Sequence, residues 1–333
     1  MGGVLVLGLM ANAGQFKELE PIAAGDCVRV FGAVGAEDLT IDRVRRVALI
    51  SSSDRRSGAV GGAIYSYSLD ERPGRLVELT SDFEGDLDPH GISLFRGGGA
   101  SVLSVVNHSG GGHSIELFDW TGGSLIHTET LVSDLLVSPN DVVAVGPREL
   151  YVTNDHGTAG MARLFEDYFR LRRANVVYFD GDEFSEAAGG ISYANGINAS
   201  SDGREVYVAS TSRGEIHLFV RDTSTGRLEP NGVIEVGTGV DNIEIDRHGM
   251  LWVGAHPKLL SFLAHARNED KLSPSQVVWI DPNELTHPPI RDAYLDLGEE
   301  ISGSSVATVW GSRLLIGSVF EEYFLDCERD PSA

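Results

Sequence analysis

One pattern of polar and hydrophobic positions recurs along the chain: a polar residue, a second polar residue or glycine, and then an alternating apolar run. The pattern begins six times, with 46 to 63 residues between successive starts. The starts are Glu37, His90, Asn140, Asn195, Asp241 and Ser304. Further strand-like runs rich in β-branched and aromatic residues follow each start, for example at 102–106, 114–120 and 125–131. Four short strands in each of six repeats predict an all-β fold, a six-bladed β-propeller with four-stranded blades.

The two ends of the chain together supply the four strands of the last blade in this prediction. The sixth repeat stops after its third strand, and an unassigned strand-like run at 27–34 precedes the first repeat. An N-terminal strand that completes the last blade would close the ring and leave no open sheet edge. Cys27 and Cys327 would then lie on neighbouring strands. We favour a disulfide over two separate buried thiols, because ring closure explains both positions, although in a reducing compartment both would stay reduced.

Outside the repeats, two segments could be helical. Residues 1–26 form a leader whose apolar run at 4–10 precedes Ala11-Asn12-Ala13; this resembles a secretory signal or anchor, or else a frayed terminus, since no Lys or Arg precedes the run. We predict that residues 27–333 form a single catalytic propeller domain. Apolar residues at helical spacing predict an inserted helix over 161–173, either a packing helix or a lid over a pocket or membrane-facing patch.

The net charge of the chain limits the kinds of partner that it can bind. The chain has 26 Lys and Arg against 49 Asp and Glu, a formal net charge of −23. Nucleic-acid binding depends on a basic face, so we expect no nucleic-acid partner. No apolar run is long enough to span a membrane. Such acidity favours solubility and cation binding.

The repeated polar positions are the candidate chemistry, because inner strands of a propeller begin around one central tunnel. Carboxylates gathered there would be costly to bury without a cation. Oxygen-only ligands suit Ca²⁺, whereas zinc prefers His or Cys. We predict a calcium site formed by five residues, with a second ion held one position further on by Asp38 and Asp141. The five residues are Glu37, Asn140, Asn195, Asp241 and Asn242.

Histidines accompany this ring. His90 is a poor Ca²⁺ ligand, and imidazole titrates near neutral pH, so we interpret it as a base beside the metal or as a structural histidine. His108 ends the next strand of that blade and could orient His90. His156 and His256 occupy equivalent strand ends in other blades and could line the same mouth.

Several ordered segments between residues 27 and 327 resemble the serum paraoxonase/arylesterase family. They include Pro-His-Gly-Ile-Ser at 89–93, Asn-Asp-Val-Val at 140–143, Asn-Gly-Ile-Asn at 195–198, Val-Asp-Asn-Ile at 240–243 and Leu-Trp-Val-Gly at 251–254. The resemblance implies a six-bladed propeller with two calcium ions, a disulfide between the termini, and hydrolysis of lactones and aryl esters. Departures include the stretch 258–271, Tyr193 where Phe is expected, and a shortened N-terminal helix.

Residue by residue, the resemblance assigns the five predicted ligands to a catalytic calcium. It assigns Asp38, Asp141 and the backbone carbonyl of Ile92 to a structural calcium. It implies that His90 and His108 activate water. Our own alternative for the base is a carboxylate beside the calcium, Asp241. The substrate wall implied by the family comprises His156, Tyr193, Val319 and Phe320.

We therefore predict a calcium-dependent arylesterase/lactonase in which Ca²⁺ polarises the carbonyl and an activated water attacks it, with phosphotriesters as a side activity. Two alternatives remain: a sugar-lactonase or strictosidine-synthase-like propeller with a single metal, and a non-catalytic binding propeller that uses calcium only for stability. The expected substrate is a small lactone or ester. The expected location is secreted or periplasmic, with membrane or lipid-surface contact through the N-terminus.

Overall fold

The computed structural model describes residues 2–58, 61–158, 166, 170–284 and 288–329. Six antiparallel four-stranded sheets form the molecule, and the inner strand of each sheet packs against the inner strands of its two neighbours. The predicted all-β, six-bladed propeller is confirmed.

Each blade runs outward from its first strand, and the blades follow one another in sequence order. Blade 1 contains β2 (Ala36–Asp42), β3 (Val47–Ser53), β4 (Gly62–Ser68) and β5 (Leu76–Glu78). Blade 2 contains β6 (Pro89–Gly97), β7 (Ala100–Asn107), β8 (Ser114–Trp120) and β9 (Leu125–Leu131). Blade 3 contains β10 (Pro139–Ala144), β11 (Leu150–Asn154), β12 (Ala174–Phe179) and β13 (Phe184–Ile191).

The remaining blades repeat the arrangement. Blade 4 contains β14 (Ala194–Ala199), β15 (Glu205–Ser210), β16 (Glu215–Arg221) and β17 (Leu228–Glu235). Blade 5 contains β18 (Gly239–Ile245), β19 (Leu251–His256), β20 (Ser275–Ile280) and β21 (Ile290–Asp296). Blade 6 contains β22 (Ser304–Trp310), β23 (Arg313–Ser318), β24 (Tyr323–Glu328) and the N-terminal strand β1 (Asp26–Phe31).

Ring closure joins the two ends of the chain. Strand β1 pairs antiparallel with β24, and Cys27 lies directly opposite Cys327. The two cysteines form a disulfide across 300 residues of sequence, as predicted. On the chain-entropy account, which is disputed, a loop of this length contributes roughly 5 kcal/mol.

The hydrophobic core lies between the blades. At the closing junction, the fully buried Tyr67 of blade 1 contacts Phe324 of blade 6 edge-on, with 5.0 Å between ring centroids. The Tyr67 hydroxyl donates a hydrogen bond of 2.7 Å to Asp326, which also pairs with the buried Arg313. Because aromatic packing and a satisfied ion pair act together here, this junction fixes blade 6 against blade 1.

Within the described ranges, the helices whose bounds are defined are two α-helices and one short 3-10 helix, all outside the blades. Helix α1 (Gly2–Asn12) falls in the segment predicted as a leader, whereas helix α2 (Leu259–Arg267) was not predicted. The 3-10 helix is Ser109–Gly111. The predicted helix over 161–173 falls largely outside the described residues. Among the residues that are described, no helix is long and apolar enough to cross a membrane.

The segment after α1 is attached to the propeller. The backbone N–H of Leu259 donates to the carbonyl of Ala13 at 3.0 Å. Lys17 Nζ donates to the carbonyl of Gly237 at 2.6 Å. The proposed domain boundary after residue 26 stays a prediction.

Candidate functional site

The recurring polar pair lies at a β-bulge in every blade. Each inner strand shifts register against its neighbour at the pair, for example between Ala36 and Asp38 and between Pro139 and Val142. A bulge places two residues opposite one and redirects their side chains. The polar pair of the sequence repeat therefore marks a β-bulge at the start of each inner strand.

Four buried oxygens at these bulges accept no hydrogen bond. They are Glu37 Oε2, Asn140 Oδ1, Asn195 Oδ1 and Asn242 Oδ1, and we call them the unpartnered oxygens. All four residues are at most 5% exposed. Buried polar atoms are normally satisfied, because leaving one without a partner costs about 1–3 kcal/mol. Four such oxygens on four inner strands fit a site that receives a cation.

The fifth predicted ligand, Asp241, has a different environment. Its Oδ2 lies 2.7 Å from His256 Nε2, and the side chains of both residues are buried. Burial raises the pKa of Asp241, and the bond to His256 opposes that rise. His256 thus holds and orients this carboxylate. Across the described ranges, no cluster of three or more His, Cys, Asp and Glu side chains has the spacing of a metal site, so a cation here would need the asparagine amides.

Asp38 and Asp141 are bonded quite differently, and we call them the bridging carboxylates. Asp38 accepts the N–H of Leu39 at 2.9 Å and the N–H of Ile92, in the next blade, at 2.7 Å. Asp141 likewise accepts the N–H of Val142 and that of Ile197, in the next blade, both at 2.7 Å. Each carboxylate therefore connects two neighbouring blades.

The close approach of Asp141 to the inner strand of blade 2 depends on glycine. A Cβ added to Gly91 would lie 2.2 Å from Asp141 Oδ1, so no other residue fits there without displacement. Burial, reinforced by neighbouring negative charge, raises the pKa of both Asp38 and Asp141 well above the ordinary value. A concentration of buried negative charge of this kind favours cation binding.

Glu37 is the carboxylate most strongly held in its charged form. Burial alone would raise its pKa, but the charge and hydrogen bond of His90, with the charge of Arg55, lower it to about 2. His90 Nε2 lies 3.3 Å from Glu37 Oε1, and Asn242 Nδ2 donates to the same oxygen at 2.9 Å. These contacts bring His90 directly to the edge of the ring.

Behind His90 the structure contains a row of imidazoles. His90 Nδ1 lies 2.9 Å from His108 Nε2, and His108 Nδ1 lies 2.9 Å from His113 Nδ1. Sequence analysis identified the first two histidines but missed His113, which follows a run of three glycines. Only the turn formed by the short helix brings His113 back against His108.

The predicted substrate wall divides into two groups. His156 and Tyr193 meet edge-on at 5.1 Å between ring centroids, and Asp155 holds His156 Nδ1 at 2.7 Å. Val319 is buried, and Phe320 packs against Phe262 with 5.6 Å between their centroids.

Helix α2 supplies a further aromatic side chain that sequence analysis missed. Phe262 stacks on His256 with 3.8 Å between centroids, and His256 in turn contacts Asp241. Helix α2 is short and its apolar residues are irregularly spaced, so the sequence pattern did not predict that this helix contributes to the site.

Comparisons with known proteins identify the family of the chain. The family model described as Arylesterase matches residues 59–328. Serum paraoxonase/arylesterase 2 from Rattus norvegicus is 35% identical over 98% of this chain and 95% of its own length. Serum paraoxonase/arylesterase 1 from Homo sapiens is 34% identical over 94% of this chain and 91% of its own.

Solved structures share the fold at lower identity. A gluconolactonase from Xanthomonas campestris is 16% identical, with a TM-score of 0.57 over 94% of this chain and 96% of its own. Regucalcin from Agrobacterium tumefaciens, a calcium-binding protein, is 16% identical, with a TM-score of 0.55 over 90% and 91%. At these identities the likeness concerns the propeller alone.

Fold and site together define the class: a six-bladed propeller enzyme with an oxygen-lined centre and an adjacent histidine. The chain belongs to the arylesterase family, which confirms the resemblance and makes it an ester-hydrolysing enzyme. Family membership also decides against the non-catalytic binding propeller. The roles of individual site residues stay predictions.

Proposed function

We propose that the protein is a calcium-dependent hydrolase of lactones and aryl esters. The observation that supports this best is the set of four unpartnered oxygens, which are buried at the bulges of four inner strands. Neutral amide and carboxylate oxygens in a flexible arrangement are typical ligands of Ca²⁺. The names of the relatives, which include paraoxonase and arylesterase, support the ester chemistry.

Two ions have separate residues available. Glu37, Asn140, Asn195, Asp241 and Asn242 would hold the catalytic calcium. Asp38, Asp141 and the carbonyl of Ile92 would hold a structural one. Bound calcium would supply Lewis-acid polarisation of the ester carbonyl and stabilise developing negative charge on its oxygen.

His90 is the best-placed base. Its Nε2 faces the ring beside Glu37, while its Nδ1 is engaged with His108. Calcium bound to Glu37 would replace the hydrogen bond between Nε2 of His90 and this carboxylate. Nε2 would then accept the proton of the water that attacks the carbonyl carbon. Asp241, the alternative base, is committed to His256. His90→Gln should therefore abolish most turnover.

The substrate wall favours apolar and aromatic substrates. His156, Tyr193, Val319 and Phe320 would contact the acyl or aryl part of the ester, and Phe262 extends this surface. Aromatic rings bury large areas against a flat leaving group. A phosphotriester presents a similar charged geometry when attacked, so we expect slow turnover of aryl phosphotriesters as a side activity.

We further propose a secreted or periplasmic location with contact to a lipid surface. The terminal disulfide fits an oxidising compartment, and the mammalian relatives are called serum proteins. The residue after α1, Ala13, is bonded to the first residue of α2, Leu259, and the two helices expose Leu7 and Leu263, which are 57% and 48% exposed. Apolar side chains on adjacent surface helices are suited to the interface of a lipid layer.

The test is hydrolysis of a long-chain γ-lactone and of phenyl acetate, before and after EGTA treatment and again after calcium is restored. We expect activity to disappear with the chelator and to return with calcium. Metal analysis must verify that the chelator has removed the ion. Full activity in metal-free protein would contradict the proposal, and absence of turnover with both substrates would limit calcium to a structural role.

A further inference from the structure

Arg55, in the loop that follows β3, has a buried nitrogen that donates no hydrogen bond. Its Nη2 donates to the carbonyl of Pro89 at 2.8 Å, and Pro89 immediately precedes His90 at the start of β6. Its Nη1 is buried and has no acceptor. A buried donor without an acceptor costs free energy, so this nitrogen is suited to bind an oxygen atom of a ligand.

Two observations place Arg55 beside both the ring and the predicted substrate wall. Burial opposes the ionisation of Glu37, and the pKa of Glu37 is lowered first by His90 and then by the charge of Arg55, so the guanidinium lies near this carboxylate. The chain that leads to Arg55 passes the wall, because a Cβ added to Gly35 would meet the carbonyl oxygens of both Ser53 and Val319. Arg55 therefore lies at the mouth of the candidate site.

The next residue, Arg56, fixes the loop against blade 6 and α2. Its Nη1 donates to the carbonyl of Phe320 at 3.2 Å, and its guanidinium carbon lies 5.2 Å from the centre of the Phe320 ring. Its Nη2 donates to the carbonyl of His265 at 3.3 Å. Because Arg56 and the Pro89 carbonyl hold the loop from two sides, the guanidinium of Arg55 is positioned before a ligand binds.

The charges of the site leave Arg55 without a negative partner. Among the residues that the structure describes, Arg55 forms no ion pair with a carboxylate. Two divalent ions would neutralise the four carboxylates proposed as calcium ligands, which are Glu37, Asp38, Asp141 and Asp241. The positive charge of Arg55 would then remain, and a partly buried charge is stabilised when an opposite charge accepts its hydrogen bond.

A carboxylate is the anion that fits this position. Nη1 is one donor atom beside an apolar wall that includes Val319 and Phe320. A carboxylate is satisfied by few donors, whereas a phosphate dianion needs more than this one nitrogen supplies. The apolar wall suits the carbon chain that would join such a carboxylate to an ester.

We propose that Arg55 is a specificity-determining residue that binds a carboxylate carried by the substrate in addition to the scissile ester. The inference rests on the proposed function and names its substrate class: esters of dicarboxylic acids, and lactones with a carboxylate substituent. The carboxylate accepts a hydrogen bond from Arg55 Nη1 while the carbon chain packs on Val319 and Phe320. The carboxylate of the product is a second source of the same chemistry, and the test separates the two sources.

The test compares two phenyl esters with acyl chains of the same length. Phenyl hexanoate ends in a methyl group, and phenyl hydrogen adipate ends in a carboxylate. We expect Arg55→Met to lower the ratio of kcat/KM for the adipate ester to kcat/KM for the hexanoate ester about 10- to 100-fold, because a charge-assisted hydrogen bond is lost. Arg55→Lys should give an intermediate ratio, because lysine keeps the charge but not the position of Nη1.

Arg148→Met is the matched control, because it also removes one positive charge. Arg148 lies in the turn between β10 and β11, at the end of β10 opposite to the bulge, and pairs with Glu129 at 2.9 Å. The ratio for the two esters should stay at the wild-type value in this variant. An unchanged ratio in Arg55→Met would overturn the proposal, and an equal loss for both esters would mean that Arg55 acts only through Glu37.

A binding measurement does not depend on turnover. Calorimetric titration of the calcium-loaded protein compares hexanoate, which has only the product carboxylate, with adipate, which has a second carboxylate. We expect adipate to bind about tenfold more tightly than hexanoate, and Arg55→Met to abolish the difference. An equal loss of affinity for both ligands would assign Arg55 to the product carboxylate and overturn the proposal.

The two measurements together distinguish failure of this inference from failure of the proposed function. A wild type that binds adipate through Arg55 but hydrolyses neither ester would refute the proposed function, and the substrate class with it, while leaving the carboxylate site established. A wild type that hydrolyses both esters, with the same ratio in Arg55→Met, would keep the proposed function and refute the role of Arg55.

Discussion

The unpartnered oxygens and the bridging carboxylates lie side by side at the same bulges but have opposite bonding. Glu37, Asn140, Asn195 and Asn242 each leave a buried oxygen without a donor. Asp38 and Asp141 each use both oxygens to accept backbone N–H groups from two blades. The first set carries a standing energetic cost that a ligand can relieve, and the second contributes to the structure in the absence of any ligand. We therefore expect neighbouring positions of one repeat to serve function and stability separately.

The largest effect should come from the unpartnered oxygens. Asn195→Leu removes one of them with little change in size, and kcat/KM should fall by about 10³-fold, since several kcal/mol of stabilisation corresponds to about three powers of ten. Without calcium, its unfolding free energy should fall by about 1 kcal/mol, because the lost oxygen had no partner and the side-chain bond removed is the one that Asn195 Nδ2 donates to Thr211 Oγ1 at 2.9 Å. Ester hydrolysis and urea unfolding in EGTA measure the two quantities.

Asn198→Leu is the matched control, because Asn198 lies on the same strand but its amide is bonded to Ala199 and Ile243. Its stability should fall without loss of calcium binding. Equal losses of stability and of calcium binding in Asn195→Leu and Asn198→Leu would contradict the distinction between an amide with an unpartnered oxygen and a fully bonded amide.

A smaller effect, now on stability, should come from the bridging carboxylates. Asp141→Asn keeps the size but replaces one acceptor oxygen with a donor that faces a backbone N–H. We expect a loss of about 2–3 kcal/mol in the free energy of unfolding, measured with urea in the absence of calcium. A variant as stable as the wild type would show that the two blades do not depend on this bridge.

The smallest effect should come from the one predicted ligand that is already paired. His256→Gln leaves Asp241 in place but weakens the contact that orients it, so the calcium concentration for half-maximal activity should rise about 10- to 100-fold. His217→Gln changes a buried histidine of blade 4 whose Nε2 lies 3.5 Å from Glu215, and it should leave that concentration unchanged. An unchanged calcium concentration for half-maximal activity in His256→Gln would mean that the orientation of Asp241 does not depend on His256.

The architecture could be predicted from the sequence because each blade of a propeller repeats the same pattern of polar and apolar residues. Six copies of one polar pair, with strand-like runs between them, were sufficient to place the blades, the closing strand and the disulfide. The different bonding of Asn195 and Asp141 could not be predicted, because both positions of the repeat include carboxylate and amide side chains. The bulge decides where each side chain points. Phe262 and His113 depend on a short helix and on a glycine-rich turn, neither of which has a periodic pattern.

The central claim is that the unpartnered oxygens hold a calcium ion on which ester hydrolysis depends. Counting bound calcium by equilibrium dialysis in the wild type and in Asn195→Leu tests it most directly. We predict two ions per chain in the wild type, and one ion in a folded, inactive Asn195→Leu. The same number of ions in both proteins, or an Asn195→Leu variant that lacks one ion and still hydrolyses phenyl acetate at the wild-type rate, would contradict the claim.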